Sequence, residues 1–195
     1  MPADFDAPYL EADPWGYESR WYEQRRRQLI ACVLPQHALG RVLEIGCATG
    51  LIAQQLADRA ASWLGLDISS KAVALASQAL QSYRHVRLQQ ADITQHWPSG
   101  SFDTYLICDM GYYLPQQALE NMAQHIAQSA HTSTVLVAAH WRHPFDQVIT
   151  PTQQVHQILD RCSGLCPLAR YIDEDLLLEV WTGNGQSIAR TEGFL

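Results

Sequence analysis

Lysine is all but missing from this 195-residue chain, with Lys71 the single example. Twenty acidic groups against 13 basic ones leave a net charge of −7. A broad phosphate-binding surface is therefore not expected, and nucleic acid is excluded as a bulk partner. No apolar run approaches the ~20 residues that span a membrane. Met1 to Glu11 is acidic and lacks the basic-then-apolar order of a signal peptide. A zinc set is also missing. Among Cys32, Cys47, Cys108, Cys162 and Cys166 only the last two lie close together, with no second pair and no nearby histidine. All five are read as reduced thiols of a cytoplasmic protein, and no metal is expected.

What is present is alternation. Short apolar runs at Val42 to Ile45, Trp63 to Leu66, Val86 to Gln89, Phe102 to Cys108 and Thr134 to Ala139 read as buried strands. Between them lie amphipathic segments, among them Leu51 to Ala60 and a helix opened by Pro115 with Leu119, Met122, Ala123 and Ile126 on one face. Thr150 and Pro151 are expected to start a further helix as N-cap and first helical residue. Leu168 to Ile172 and Leu176 to Trp181 then form two strands, and the short acidic turn between them suits antiparallel pairing. Seven strands with this β–α alternation predict one α/β domain, a doubly wound, mostly parallel sheet with helices on both faces. Its parts are an N-terminal lid and cap helix over 1–34, a core over 41–182 and a loose polar tail over 183–195. Trp15 to Leu34 is read as the cap helix, with Tyr22, Arg26, Leu29 and Val33 facing the core.

The segment Val42-Leu-Glu-Ile-Gly-Cys-Ala-Thr-Gly50 is the most informative one. Gly46 and Gly50 permit a tight turn and a close approach to the backbone around Cys47. Such a turn alone is more often packing. Here, however, Glu44, Asp67 and Asp92 stand at three successive strand ends, which packing does not require. In a doubly wound sheet the ligand crevice lies at those ends. Asp67 can accept both hydroxyls of a ribose, and Asp92 can accept from an adenine amino group, with Ile68 and Ile93 flanking the base. The Gly-Lys-Ser/Thr of a P-loop is absent, and so are the third glycine of a dinucleotide fingerprint and a Tyr-x-x-x-Lys pair. A nicotinamide-dependent reductase is disfavoured accordingly. Glu44 beside the turn suits a cationic sulfonium better than a pyrophosphate.

The run Glu44 to Gly50, with Asp67, Asp92 and Ser99-Gly-Ser-Phe-Asp103, resembles the class I S-adenosylmethionine-dependent methyltransferases. The blocks Asp13-Pro-Trp-Gly-Tyr17, Trp21-Tyr-Glu-Gln-Arg-Arg26, Gly111-Tyr-Tyr-Leu114 and His140-Trp-Arg142 are similar to the NodS nodulation family, which N-methylates the amine of a deacetylated chitooligosaccharide. One departure is Asp109, where glutamate would be expected, and it bears on substrate identity. The resemblance implies a Rossmann-like methyltransferase sheet and S-adenosyl-L-methionine as cofactor, with S-adenosyl-L-homocysteine as product. It also implies a small-molecule acceptor, an amino sugar or oligosaccharide. An inward Arg26 needs an anion. From the residues alone an acid of the protein, Glu44 or another, and the cofactor's carboxylate are equal candidates, and the resemblance favours the cofactor, with Trp15 covering the same moiety. Asp109 is expected to orient an amine, His140 to accept the substrate proton, Arg142 to hold a hydroxyl or acid, and Tyr112 and Tyr113 to wall a sugar ring or hydrogen-bond to it. His156 lies on the less apolar side of its helix. Met1 to about Trp21 is expected to be a mobile lid. O-methyl transfer to a small molecule, or a non-catalytic cofactor-binding domain, are the alternatives. The oligomeric state is not legible.

Overall fold

A computed structural model describes residues 5–11 and 13–195. The apolar runs become seven strands: β1 Gly40–Ile45, β2 Ala60–Asp67, β3 Val86–Gln90, β4 Thr104–Cys108, β5 Val135–Trp141, β6 Cys166–Ile172 and β7 Leu176–Thr182. They lie in one sheet in the order β3-β2-β1-β4-β5-β7-β6. All pairings are parallel except those of β7, which runs antiparallel to both β5 and β6. The chain winds outward from β1 through β2 to β3, then returns to place β4 on the other side of β1. That reversal opens a crevice at the carboxyl ends of β1 and β4.

Among the described residues six α-helices accompany the sheet: α1 Trp21–Val33, α2 Leu51–Leu56, α3 Ser70–Ala79, α4 Gln116–Ser129, α5 Thr152–Cys162 and α6 Ile188–Thr191. Strand alternation divides the interior in two. Leu43, Tyr105, Ile107, Leu136 and Trp181 pack under α4 and α5, through Leu119, Ile126, Val155 and Leu159. Val42, Leu106, Val137 and Val180 pack under α1 and α2, through Ile30, Ile52 and Leu56. Both faces are covered, as the doubly wound reading requires. None of the helices of the described residues is long and apolar enough to cross a membrane.

Several local expectations need correction. The first helix begins at Trp21, not Trp15, because the Asp13 carboxylate accepts the Glu18 and Ser19 amides and the Ser19 hydroxyl, curling residues 13–19 into a turn. Its buried residues are Glu23, Arg26 and Ile30, a face rotated from the expected one. The segment Leu51 to Ala60 is helical only to Leu56. A 3-10 turn follows, and Ala60 already belongs to β2. Thr150 does not cap α5. Its hydroxyl donates to the Leu114 carbonyl at 2.7 Å, and Pro151 takes the cap position. The tail contains α6, capped by the Ser187 hydroxyl.

Candidate active site

At the carboxyl ends of β1, β2 and β4 lies a cavity of about 270 Å³. The turn after β1 forms its floor. The amides of Gly46 and Cys47 both donate to the Leu66 carbonyl, at 2.8 and 3.0 Å, and Gly46 has φ +79°. A Cβ on Gly46 would meet Met110 Cβ at 2.7 Å, so the turn tolerates no side chain there. Ala48 follows with φ +47°, and its amide donates to Asp67 Oδ2 at 2.9 Å. Asp67 Oδ1 accepts the Ser69 amide at 2.9 Å. Burial pushes the Asp67 carboxyl up, and the amides of Ser69 and Ala48 oppose that rise. Asp67, Ile68, Asp92 and Ile93 all line the cavity. Asp92 Oδ1 also takes the Thr94 amide and hydroxyl, at 2.9 and 2.7 Å. Gly50 is not among the lining residues. It lies in the left-handed region (φ +81°), and a Cβ there would meet Leu80 and Ala76 of the α3 side, so the turn needs glycine here for packing.

A smaller recess of about 30 Å³ adjoins the cavity through Gly46, Ala48 and Asp109 and is lined also by Arg26, Glu44 and Cys47. Arg26 pairs with acids of the protein other than Glu44. Its Nε and Nη2 donate to Glu23 Oε2 at 3.0 and 2.7 Å, and Nη1 lies 2.8 Å from Asp109 Oδ2. That last contact is close in charge but poorly aligned, so Nη1 is a buried donor without a hydrogen bond. An orphan guanidinium donor lining a recess beside an adenosyl-sized cavity fits the carboxylate of the expected cofactor. Glu44 is fully buried, with Oε2 accepting the Trp63 indole N–H at 3.1 Å. Burial pushes its carboxyl up to about 8, so it holds a proton at neutral pH.

This protonated carboxyl has a measurable consequence. A ligand that brings an ammonium group into the recess favours the ionised form, so binding expels the Glu44 proton. Affinity for S-adenosylhomocysteine is expected to rise from about pH 6 to about pH 8, at most ~tenfold per unit. Glu44→Gln abolishes the rise. Calorimetry in two buffers of different ionisation heat counts the expelled proton.

Of Asp109, His140, Arg142 and Tyr112, only Asp109 lines the cavity. Its backbone is left-handed (φ +50°), and Oδ1 accepts the Trp141 amide at 2.8 Å. Its Oδ2 faces the Arg26 guanidinium, so both oxygens have partners within the protein. His140 is wholly buried, with one ring nitrogen on the Gly111 amide and the other on His156, and cannot reach a substrate proton. Arg142 is exposed and donates to the Asp173 and Glu174 carbonyls in the turn between β6 and β7. Tyr112 is buried edge-on against His140 and Phe145, whereas its neighbour Tyr113 lines the cavity. These three expectations are corrected.

The residues that sequence reasoning missed are aromatic. Phe5, Tyr9 and Tyr17 join the expected Trp15 and Tyr113 in the wall of the cavity. Trp15 is 46% exposed, with Tyr9 and Tyr17 rings 5.6 and 5.2 Å away, and Phe5 meets Tyr113 edge-on at 5.4 Å. The available signal was the density of aromatics before Trp21 in an otherwise polar stretch. Of the expected lid, residues 1–4 and 12 lie outside the described residues. The remainder is fastened by the Asp6 carboxylate, which accepts the Ser69 and Ser70 hydroxyls and the Lys71 amide at the start of α3. Among the described residues there is no cluster of three or more metal-ligating side chains.

Comparison with known proteins places this arrangement. Residues 42–132 match the model of a methyltransferase domain family. A solved Pseudomonas syringae protein assigned as a methyltransferase is 32% identical, with a TM-score of 0.74, and the match covers 84% of this chain and 99% of that one. The N-methyltransferase NodS from Bradyrhizobium japonicum, solved with S-adenosyl-L-homocysteine, shares the fold: TM-score 0.78, 24% identity, 90% of this chain and 94% of that one. Nodulation protein S of Sinorhizobium fredii is 28% identical over 125 residues, 61% of this chain. The matched part spans 58% of that relative's length. With the sheet order, the turn after β1 and these matches together, the chain belongs to the class I S-adenosylmethionine-dependent methyltransferases, in a form resembling NodS.

Proposed function

We propose that this protein methylates an amino group of a small polar acceptor, with a deacetylated chitooligosaccharide or a simpler amino sugar as the leading candidates. Bound in the crevice, S-adenosylmethionine supplies an already activated methyl group, which leaves the protein the tasks of binding and alignment. Asp67 and Asp92 are placed for the nucleoside, and Arg26 with Glu44 for the charged amino-acid end. Tyr113 offers a flat ring face to the acceptor, beside the apolar Leu114, and Trp15 covers the cofactor.

The observation that carries the choice of nitrogen is that the two groups expected to handle the acceptor's proton, Asp109 and His140, are both engaged elsewhere. Among the described residues lining the cavity, Asp109 is tied to Arg26 and to the Trp141 amide. His140 is sealed beneath the turn. A hydroxyl acceptor needs its proton removed as it attacks, whereas an amine that arrives neutral needs only orientation. The NodS likeness supports the same reading, and the carbohydrate is the part it alone suggests. A second reading, O-methyl transfer, is weakened by the same engagement of Asp109 and His140.

The test supplies a labelled methyl donor with a panel of deacetylated chitooligosaccharides, simple amines and their hydroxyl counterparts, then locates the label by mass spectrometry. Label on nitrogen is expected, with kcat/KM rising as pH approaches the acceptor amine's own pKa. Label on oxygen overturns the nitrogen assignment, and cofactor binding without transfer to any acceptor favours a non-catalytic domain. We also propose that the segment up to about Trp21 closes over the ligand. Limited proteolysis before Trp21 is expected to slow at least ~fivefold with saturating S-adenosylhomocysteine. Equal cleavage with and without ligand excludes a closing segment.

A further inference from the structure

The hydrogen bonds around His140 permit one assignment of protons. The Gly111 amide donates to His140 Nε2 at 3.1 Å, so that nitrogen presents its lone pair and the neutral ring carries its proton on Nδ1. Nδ1–H faces His156 Nε2 at 3.0 Å, which makes the second nitrogen an acceptor too. The His156 proton is then also on Nδ1, where it donates to Glu179 Oε2 at 2.7 Å. Glu179, on β7, opens to a groove of about 470 Å³ between α5 and the β6–β7 pair, and Arg170 stands 3.3 Å from its other oxygen. The chain of bonds therefore runs from a groove on one sheet face, through two buried imidazoles, to the backbone at the crevice.

We propose that Glu179, His156 and His140 are positioning residues, a relay that fixes the turn holding Asp109 and Tyr113 at the cavity. The turn depends on that anchor. Asp109 occupies the left-handed region without being glycine, a conformation that persists only where its surroundings enforce it. Gly111 approaches so closely that a Cβ would lie 2.6 Å from Val155 Cγ1 and 2.9 Å from His140 Nε2. The imidazole is thus in direct contact with the backbone two residues past Asp109. Both rings resist protonation. Burial disfavours charge on each, and His140 also faces His156 and the Arg26 guanidinium, with the Tyr112 ring alongside. His156 faces Glu179 and Asp109, which favour its charged form, and Arg170, which disfavours it, while burial prevails. A proton on either ring has to enter at Nε2. On His140 it opposes the Gly111 N–H directly, and on His156 it opposes His140 Nδ1–H and forces that ring to the other tautomer. The anchor is lost either way.

The proposal goes beyond the methyl-transfer reading, and only its effect on turnover rests on that reading. Spectra of protein carrying ¹⁵N-histidine report the tautomers directly. In the intact protein, His140 and His156 are both expected to be protonated at Nδ1 alone, with the Gly111 amide shifted as a hydrogen-bond donor. Glu179→Ala is expected to move His156 and His140 toward the Nε2–H form, release the Gly111 amide and lower kcat about tenfold, with the Kd of S-adenosylhomocysteine changed by less than about twofold. Glu179→Gln keeps an oxygen acceptor for the same N–H and is expected to restore tautomers and kcat to within about threefold. An Nε2-protonated His140 in the unaltered protein overturns the relay, whether or not any variant folds. So does a folded Glu179→Ala protein with unchanged ring and Gly111 signals. If no acceptor is methylated by any form, the spectra still decide the relay, and the failure belongs to the methyl-transfer reading.

Discussion

Replacing Arg26 with methionine is expected to cost about 3–5 kcal/mol of folding stability at pH 8, a fall in Tm of ~6–20 °C for a chain this size. Methionine fills most of the volume, so the loss is electrostatic rather than a cavity. Arg26 is the shared cation of two carboxylates, Glu23 and Asp109, both held away from water. Burial already pushes the Glu23 carboxyl above its ordinary range, and Arg26 is what opposes that rise. Without the guanidinium the folded-state value climbs further. A carboxyl whose folded pKa is raised contributes stability below its unfolded value, and that contribution is lost as pH rises through the folded value. The deficit is therefore expected to be small near pH 4.5 and full at pH 8. Arg26→Lys retains charge but not the fork that reaches Glu23 and Asp109 together, and should fall between. Thermal melts of the three proteins across that pH range decide the matter. A deficit independent of pH would mean that packing, not charge, fastens α1 to the sheet.

Asp67→Ala is expected to weaken S-adenosylhomocysteine by on the order of 10²–10³-fold, the loss of two charge-assisted hydrogen bonds of about 1.5–3 kcal/mol each with partial compensation by water. Each carboxylate oxygen of Asp67 already accepts one amide, from Ala48 or Ser69. A carboxylate oxygen offers two lone-pair directions, so one remains on each for a ribose hydroxyl. The two amides also hold the turn after β1 and the start of α3 in register, and their loss adds to the effect. Asp67→Asn separates the parts. It can keep one of the two amides bound to its oxygen while giving up the charge, and is expected to lose about tenfold with a near-native Tm. Calorimetric titration of both variants is the measurement. Binding of the alanine variant within about threefold of the parent would show that the sugar lies elsewhere.

Much of the architecture was legible because it depends on short-range pattern. Val42 to Ile45 could only be a buried strand, and a carboxylate at the end of such a run, as with Asp67 and Asp92, is carried to the sheet's upper edge by the strand itself. Arg26 shows where that logic stops. Its inward position followed from helical spacing, but its partners depend on the rotation of α1, which Ile30 sets by packing on the sheet, and on Asp109, delivered by a different strand. His140 failed for a subtler reason. β5 continues to Trp141, so His140 is inside the strand and alternation turns it down toward α5 and His156, not out over the edge. His156 itself was assigned to the less apolar side of its helix, yet it is buried, because Glu179 and His140 give it partners in the interior. Arg142 was drawn away by a turn whose location depends on the antiparallel insertion of β7. The aromatic wall from Phe5 to Tyr17 has no period at all, and only tertiary closure reveals it.

That insertion also bears on how the molecule is made. β7 is the last strand of the chain, yet it sits between β5 and β6 rather than at a rim. Its pairing with β6 is local, across Asp173 to Asp175, so the two can join as a hairpin before either meets β5. On the ribosome, domains assemble from the N-terminus as the chain emerges. Here β5 must wait with an open edge until residue 182 is free of the tunnel, and Glu179 arrives beside His156 only then. Both the sheet and the turn that shapes the crevice are completed only when β7, the last of the seven strands to emerge, is in place.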